Sequence, residues 1–124
     1  MRNHHSECIL VTTTTPDFVD ITDEIEGALE HSGIRAGQVT VFSAQQECSI
    51  LVQERESGLL IDIEQTMQRL GESAARERGT LVGSPSVVLP AANGKLRLGM
   101  WQRVLLVELA EPDARSVVVH IVGE

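Results

Sequence analysis

The segment from Gly94 to Gln102 is the part of this chain that most constrains its fold. It contains two glycines and the only tryptophan, Trp101, and it leads directly into an apolar run. The Asn93-Gly94 pair is typical of a hairpin turn, and the next residues alternate polar and apolar as in a half-buried strand. Gly99 interrupts this alternation, which favours a β-bulge filled by Trp101 in the core; the alternative is a close approach by a ligand or another backbone.

Helical periodicity, β-prone runs and turn residues predict the other elements. The first helix runs from Thr22, as N-cap, to about His31, and the second runs from Ser57, as N-cap, to Leu70. The predicted strands are 7–14, 18–21, 38–43, 48–53, 87–89, 95–98, 101–109 and 115–122. Residues 104–107 are apolar on both faces, as in a central strand or a subunit interface. This order predicts an α+β fold, with an antiparallel β-sandwich-like sheet and two central helices.

Length and charge exclude several classes of protein. The 124 residues suffice for a single domain, 1–124, and a net charge of −8 disfavours nucleic-acid binding because an acidic surface repels phosphates. No segment has the apolar length of a membrane span, and the first residues lack the features of a secretory signal. We therefore expect a cytoplasmic protein without membrane contact, whose residues 1–5, with His4 and His5, form a solvated start.

Several motifs together resemble those of the YjbQ-like family, uncharacterised protein family 0047, whose members are described as secondary thiamine-phosphate synthases and are otherwise largely uncharacterised. The G-x-L-x-L-G-x-W-Q pattern of residues 94–102 is similar to the family signature. Residues 19–25 resemble its opening strand and helix, residues 52–62 its central acidic motif, and residues 85–90 the strand before the hairpin. The resemblance implies a YjbQ-like fold, a homotrimer and a small phosphorylated molecule as the ligand class.

The chain departs from the family pattern at its histidines. Where members carry a His-Thr-Thr triplet, this chain has Gln45-Gln46-Glu47, followed by Cys48, and residues 71–80 replace a longer segment with two further histidines. No histidine lies between His31 and His120. A glutamine side chain is a poor substitute for an imidazole ligand, so the His-based site of the family cannot form in its usual way.

Glu54 and Asp62 are the candidate catalytic residues, because two close carboxylates can divide acid and base roles and both match the acidic motif. The residues alone favour the alternative of capping or solvated carboxylates.

The candidate ligand-binding residues are Gln45, Glu47, Cys48, Ser86, Trp101 and Gln102. For Cys48 we favour a packed thiol over a nucleophile or a soft metal ligand. Ser86 belongs to a turn whose N–H groups could hold an anion.

No metal site and no cofactor are assigned. A less favoured alternative places Mg²⁺ or Ca²⁺ among the side-chain oxygens of Gln45, Glu47, Glu54 and Asp62. His31 and His120 are interpreted as helix-capping and surface residues, because neither has a ligand partner at a characteristic spacing.

Three functions fit these observations. The favoured one is a divergent YjbQ-like protein, of unknown physiological role, that binds a small ligand or acts in assembly and has lost the His-based chemistry. The second is a thiamine-phosphate synthase-type enzyme that uses a divalent metal held by carboxylates. The third is a purely structural homotrimer. We favour the first because the sequence offers no catalytic constellation in place of the missing histidines.

Overall fold

The structure, a computed structural model, describes residues 1–14, 16–45, 47–54, 57–69 and 84–124. The elements are β1 (Arg2–Val11), β2 (Asp17–Asp20), α1 (Thr22–Ser32), β3 (Gly37–Ser43), β4 (Cys48–Glu54), α2 (Ser57–Arg69), β5 (Ser86–Ala92), β6 (Lys95–Leu96), β7 (Gln102–Glu108) and β8 (Ala114–Gly123). The predicted α+β fold with two central helices is confirmed. The predicted end of the second helix at Leu70 and the shortened segment 71–80 lie outside the described residues.

The strands form two antiparallel sheets. The larger has the order β1-β8-β3-β5-β6, and the smaller has the order β2-β7-β4. Their facing sides share one core, in which Val41 and Val119 of the larger sheet join Leu106 of the smaller one. Helix α1 adds Ile25 and Leu29, both fully buried, to the same core. The alternation of side chains along each strand thus directs one face of each sheet inward.

Strand β7 is the central strand of the smaller sheet and is buried on both faces. It lies between β2 and β4, and all four residues from Val104 to Val107 are fully buried. On the face away from the shared core, Ile63 of α2 packs with Phe18 and Leu51 against a second cluster that contains Val107. The apolar run therefore belongs to a central strand, one of the two possibilities left open by its pattern.

The larger sheet has a second face, directed away from the shared core, that we call the outer sheet face. Its residues, identified from the strand register, are Asn3, His5, Glu7, Ile9 and Val11 of β1; Ala114, Ser116, Val118, His120 and Val122 of β8; Gln38, Thr40 and Phe42 of β3; Ser86, Val88, Pro90 and Ala92 of β5; and Lys95 of β6. Ile9 is 75% exposed, Val11 67% and Val88 57%. Large apolar side chains therefore contact solvent on this face of the single chain.

Most of the first five residues are exposed to solvent, as predicted, but they belong to strand β1, which was predicted to begin only at Glu7. Strand β1 begins at Arg2 and pairs with β8 along its whole length, so that Arg2 lies opposite Gly123 and His5 opposite His120. The Arg2 guanidinium also donates to the carbonyl of Ser32, at 2.7 Å, at the end of α1. Backbone pairing with a strand more than 100 residues away holds this polar segment, and local composition does not reveal such pairing.

The prediction of a bulge with a core tryptophan is wrong. Strand β6 ends at Leu96, and residues 99–102 form a turn in which the Gln102 N–H donates to the Gly99 carbonyl at 3.0 Å. The Gln102 side-chain oxygen accepts from the Gly99 N–H at 2.8 Å. Met100 and Trp101 lie at the tip of this turn, and Trp101 is 68% exposed. Gly99 therefore belongs to a side-chain-supported turn instead of a strand.

Helix α1 begins differently from the prediction but ends as expected. Thr22 is its first residue instead of its N-cap, and Ile21, at the N-cap position, makes no side-chain cap bond. The Thr22 N–H donates to the Asp20 carboxylate at 3.0 Å, while the Thr22 hydroxyl accepts from the Val104 N–H at 2.8 Å. Thr22 thus joins the helix to β7. Gly33, with φ 73°, ends the helix in the left-handed conformation that glycine favours.

Candidate functional site

Most of the predicted site residues fall into two groups at opposite ends of the β4–β7 pair, whereas Ser86 lies on β5 and Asp62 on α2. In the register of these strands, Cys48 lies opposite Glu108, whereas Glu54 lies opposite Gln102. The two ends of β4 are about 20 Å apart at the usual rise of a strand. Within one chain, a small ligand therefore cannot contact Glu54 together with Glu47 and Cys48.

The first end contains a buried ion pair that we call the Glu108–Arg115 cluster, made of these two residues with Thr12, Glu47 and Cys48. Glu108 is fully buried, and its two carboxylate oxygens accept from Arg115 Nε at 2.7 Å and Nη2 at 3.0 Å. The Thr12 hydroxyl donates to the same carboxylate at 2.7 Å. Burial alone would raise the pKa of Glu108, but these hydrogen bonds outweigh burial and hold its pKa below the usual value.

Sequence reasoning missed Glu108 and Arg115. The available signal was one acidic residue within an otherwise apolar run, because a carboxylate at such a position is normally buried and paired. Its partner could not be identified in this way, since Arg115 lies on the next strand and reaches Glu108 only after the chain turns.

Gln45 and Glu47 both contact strand β8 at this end of the molecule. In the orientation that satisfies both of its amide atoms, Gln45 donates to the Ser116 carbonyl at 3.1 Å and accepts from the Ser116 N–H at 3.2 Å. The Glu47 carboxylate lies 3.9 Å from Arg115 Nη1, and its backbone carbonyl accepts from the Leu109 N–H. Both predicted ligand-binding residues are thus engaged with strand β8 or with the end of β7.

Cys48 is a buried thiol next to Glu108. Its Sγ lies 3.6 Å from Glu108 Oε2. Burial, and after it the Glu108 carboxylate, raise the pKa of Cys48 to about 12. The side chain is therefore protonated at neutral pH, and a thiol is neither the nucleophilic nor the metal-binding form of cysteine. The environment of Cys48 is that of a packed residue, the interpretation that the sequence favoured.

The second end contains Glu54, Trp101 and Gln102. Glu54 is the exposed last residue of β4, and its neighbour Gln102 uses its side chain to support the turn that carries Trp101. Asp62 is exposed on α2, where its backbone carbonyl accepts from the Thr66 hydroxyl at 2.8 Å. The two residues that join β4 to α2 lie outside the described residues, and a joint role of Glu54 and Asp62 stays a prediction.

Ser86 belongs to neither end of this pair. It is the first residue of β5, on the outer sheet face opposite Phe42, and its carbonyl accepts from the Ser84 hydroxyl at 2.6 Å. A role of Ser86 in anion binding stays a prediction.

A surface pocket of about 540 Å³ lies between α1 and the β5–β6 hairpin, and none of the predicted site residues lines it. Its lining residues are Glu26, Glu30, Arg35, Asn93, Gly94 and Lys95. The described part of the chain contains no group of three or more His, Cys, Asp and Glu side chains that could hold a metal ion. Across the same residues, no helix has the length and apolar character needed to cross a membrane.

Two antiparallel sheets, two helices and a buried ion-pair cluster, which includes Glu47 of the segment where the His-Thr-Thr triplet was expected, define a small α+β protein. The chain belongs to the family of UPF0047 proteins that are YjbQ-like, whose family model matches residues 6–124. The resemblance seen in the sequence is thereby confirmed.

Proteins similar to this chain come from several microorganisms. A UPF0047 protein of Methanothermobacter thermautotrophicus is 34% identical over 100% of this chain and 95% of its own length. A UPF0047 protein from Archaeoglobus fulgidus is 35% identical over 91% of this chain and 97% of its own length. A solved YbjQ-like protein of unknown function from Sulfolobus solfataricus P2 has a TM-score of 0.91 at 31% identity, with 99% of each chain covered. The solved structure of a hypothetical protein of Aeropyrum pernix K1 has a TM-score of 0.89 at 28% identity, with 98% of this chain and 99% of that chain covered. These relatives establish the fold and the family, and their descriptions assign no activity.

Proposed function

We propose that this chain is a non-catalytic, self-associating member of the family, a homotrimer whose copies pack through the outer sheet face. The observation that carries the proposal is the composition of that face. Ile9, Val11 and Val88 are largely exposed there, and Glu7 and Lys95 are the only Asp, Glu, Lys or Arg among its positions, in a chain of net charge −8. Depletion of charge around exposed apolar side chains is characteristic of the core of an interface.

A second copy of the chain is the occupant that this composition favours. A partner recognised by charge would need a complementary charged patch, and the outer sheet face offers one carboxylate. Two copies of a nearly neutral face can meet without bringing their excess negative charge together. Closed symmetric association is also the usual way in which small domains cover apolar strands. The number three comes from the family resemblance.

The state of the Glu108–Arg115 cluster supports the non-catalytic part of the proposal. Glu108 is satisfied by Arg115 and Thr12, and Cys48 carries a protonated thiol at neutral pH. These groups stabilise one another in the region of the absent His-Thr-Thr triplet. A hydrolytic or transfer reaction would need an ionised nucleophile or an available base there.

The ligand-binding and enzymatic alternatives make a different prediction. A small phosphorylated molecule, or a divalent metal on Glu54 and Asp62, would be present in stoichiometric amount in the purified protein. Elemental analysis and native mass spectrometry on one sample measure both. A bound phosphorylated molecule would support the ligand-binding form, and stoichiometric Mg²⁺ or Ca²⁺, the ions that carboxylates prefer, would favour the thiamine-phosphate synthase alternative. If the sample contains neither, the assembly protein is the form supported. A cytoplasmic location is part of this proposal.

The assembly proposal is tested by placing a charge on the outer sheet face. We expect Ile9→Lys to shift the protein from trimer to monomer in sedimentation velocity, because an ammonium group would be buried between copies. The matched control is Ile61→Lys, which replaces an isoleucine that is 52% exposed on α2, away from the outer sheet face. A trimer that persists in Ile9→Lys, or an equal loss in Ile61→Lys, would contradict the proposed interface.

A further inference from the structure

His5 and His120 form a pair in the middle of the outer sheet face. They lie directly opposite each other in the antiparallel register of β1 and β8, with their ring centroids 6.3 Å apart. Cβ atoms of directly opposite residues are about 5 Å apart, so two rigid strands present two imidazoles on the same side of the sheet. His5 is exposed and His120 is half-buried. The strand register creates this pair from residues 115 positions apart, which is why sequence spacing did not reveal it.

We propose that His5 and His120 together bind a divalent transition-metal ion such as Zn²⁺ or Cu²⁺. Imidazole nitrogen is a preferred ligand of these ions, whereas Mg²⁺ and Ca²⁺ prefer oxygen. With metal–nitrogen bonds of about 2.0–2.1 Å, two rings on one tetrahedral ion have centroids about 5 Å apart. The rings must therefore approach by about 1 Å, which rotation of the exposed His5 side chain can provide.

The electrostatic surroundings favour a cation at this pair. Glu7 lies on the same face, two residues along β1, with its carboxylate bonded to the Ser116 hydroxyl. The only Lys or Arg among the positions of the outer sheet face is Lys95, three strands away from β8, and the net charge of −8 attracts cations to the protein. Two protein ligands also leave coordination positions for water or for a group supplied by another molecule.

The second histidine pair of the chain offers a comparison. His4 and His31 have centroids 5.7 Å apart, on the opposite side of β1. Their neighbour is Arg2, whose guanidinium is fixed by hydrogen bonds to the carbonyls of Ser32 and Gly33, directly after His31. A fixed positive charge opposes metal binding at this pair. The rings of His4 and His31 lie closer together than those of His5 and His120, so this control pair tests whether the neighbouring Arg2, and not ring spacing, decides metal binding.

The metal site goes beyond the proposed assembly. Both ligands belong to one chain, so binding does not require a second copy, and in the proposed trimer the open coordination positions lie within the interface. The test is a titration of the purified protein with Zn²⁺, followed by NMR of the imidazole carbon-bound protons, with Mg²⁺ as a control ion. The chain has four histidines, so four sets of signals are expected, and single His→Gln variants assign them. Isothermal titration calorimetry gives the affinity, and sedimentation of the same samples gives the oligomeric state separately.

We expect Zn²⁺, but not Mg²⁺, to shift the signals of His5 and His120 with one ion per chain. His5→Gln and His120→Gln should each weaken Zn²⁺ binding about tenfold or more, since each removes one of two ligands. His31→Gln should leave the affinity unchanged. The proposal is overturned if the four histidines respond equally or not at all, or if His120→Gln binds Zn²⁺ as tightly as the unaltered chain. A monomer in sedimentation would instead count against the assembly proposal.

Discussion

Glu108 shows how one residue sets the local architecture at the end of β7. A carboxylate that is fully buried is stable in its charged form only when its oxygens are hydrogen-bonded, and here Arg115 and Thr12 supply those bonds. The pair joins β7 to β8, two strands that belong to different sheets. The cluster therefore fixes the two sheets relative to each other at this end of the molecule.

Replacing Glu108 tests this role. We expect Glu108→Gln to lower the free energy of unfolding at pH 7 by about 3 kcal/mol, because Arg115 would keep its buried position without its charged partner. The control is Glu111→Gln, at an exposed position nearby, which should change stability by at most about 0.5 kcal/mol. Urea unfolding followed by circular dichroism measures both. Equal stability of Glu108→Gln and the unaltered chain would contradict a stabilising pair.

The difference in stability between the unaltered chain and Glu108→Gln should change with pH in a predictable direction. The pKa of Glu108 is lowered in the folded chain from its usual value of 4.5, so the unfolded state takes up the proton first as the pH falls. Its contribution is fully present above about pH 4.5 and is lost as the pH falls through the lower folded pKa. The stability difference between the unaltered chain and Glu108→Gln should therefore shrink in acid. A constant difference between pH 7 and pH 3 would show that the charge of Glu108 does not matter.

Cys48 leads to a second prediction at this scale. With its pKa raised to about 12 by burial and by Glu108, the thiolate fraction at pH 8 is about one in ten thousand. We expect iodoacetamide to leave Cys48 unmodified in the folded protein and to modify it readily in urea, as measured by peptide mass spectrometry. Half-buried Cys8 should react first under native conditions. Rapid native modification of Cys48 would revive its interpretation as a nucleophile.

At the scale of elements, the larger sheet depends on a close backbone approach between β3 and β8. Gly37 and Gly123 lie opposite each other where these strands meet. A Cβ on Gly37 would collide with the backbone carbonyl of Val122, and one on Gly123 with that of Ala36. Both neighbours are backbone atoms, which cannot rotate away as a side chain can. Only glycine fits at this pair.

Two glycine substitutions separate this effect from the general effect of adding a methyl group. We expect Gly37→Ala to destabilise the fold by about 3 kcal/mol through overpacking against β8. Gly27→Ala, in α1, should stabilise it by about 0.5–1 kcal/mol, since a Cβ there meets no atom within 4 Å and alanine is the better helix former. Thermal unfolding measures both signs. A neutral Gly37→Ala would mean that the strands can separate without loss.

The same elements show what the sequence could reveal. Helix α1 and strands β3, β4 and β7 were predicted to within one residue at most ends, because periodicity, Gly33 and β-branched runs are local signals. The start of β1 and the exposed position of Trp101 were not predicted, since the first depends on pairing with β8 and the second on a side-chain bond from Gln102. The pairing of β1 with β8 joins residues distant in the sequence, whereas the hydrogen bond between Gly99 and Gln102 is local but has no signal in the hydropathy pattern.

The candidate site was less predictable than the fold because its contacts join residues that are distant in the sequence. Cys48 contacts Glu108 across 60 positions, and this pairing exists only once β4 lies beside β7. The sequence analysis grouped Glu54 and Glu47 in one hypothetical set of oxygen ligands. In the structure β4 is extended and its whole length separates these two residues, which are near each other in the sequence but far apart in space.

At the scale of the whole molecule, no described helix or strand covers the outer sheet face. The smaller sheet is enclosed between the shared core and Ile63 of α2, whereas the larger sheet is covered on its inner face only. The outer sheet face exposes Ile9, Val11 and Val88, next to the His5–His120 pair. The proposed self-association would account for the low charge of this face in a strongly acidic chain.

The molar mass in solution tests the central claim most directly. Sedimentation equilibrium of the purified chain, over a range of protein concentrations at physiological salt, should give about three times the chain mass of 13.5 kDa. Ile61→Lys should keep that mass, and Ile9→Lys should lose it. A mass of 13.5 kDa at all concentrations, for the unaltered chain as for Ile9→Lys, would show that the outer sheet face does not mediate self-association.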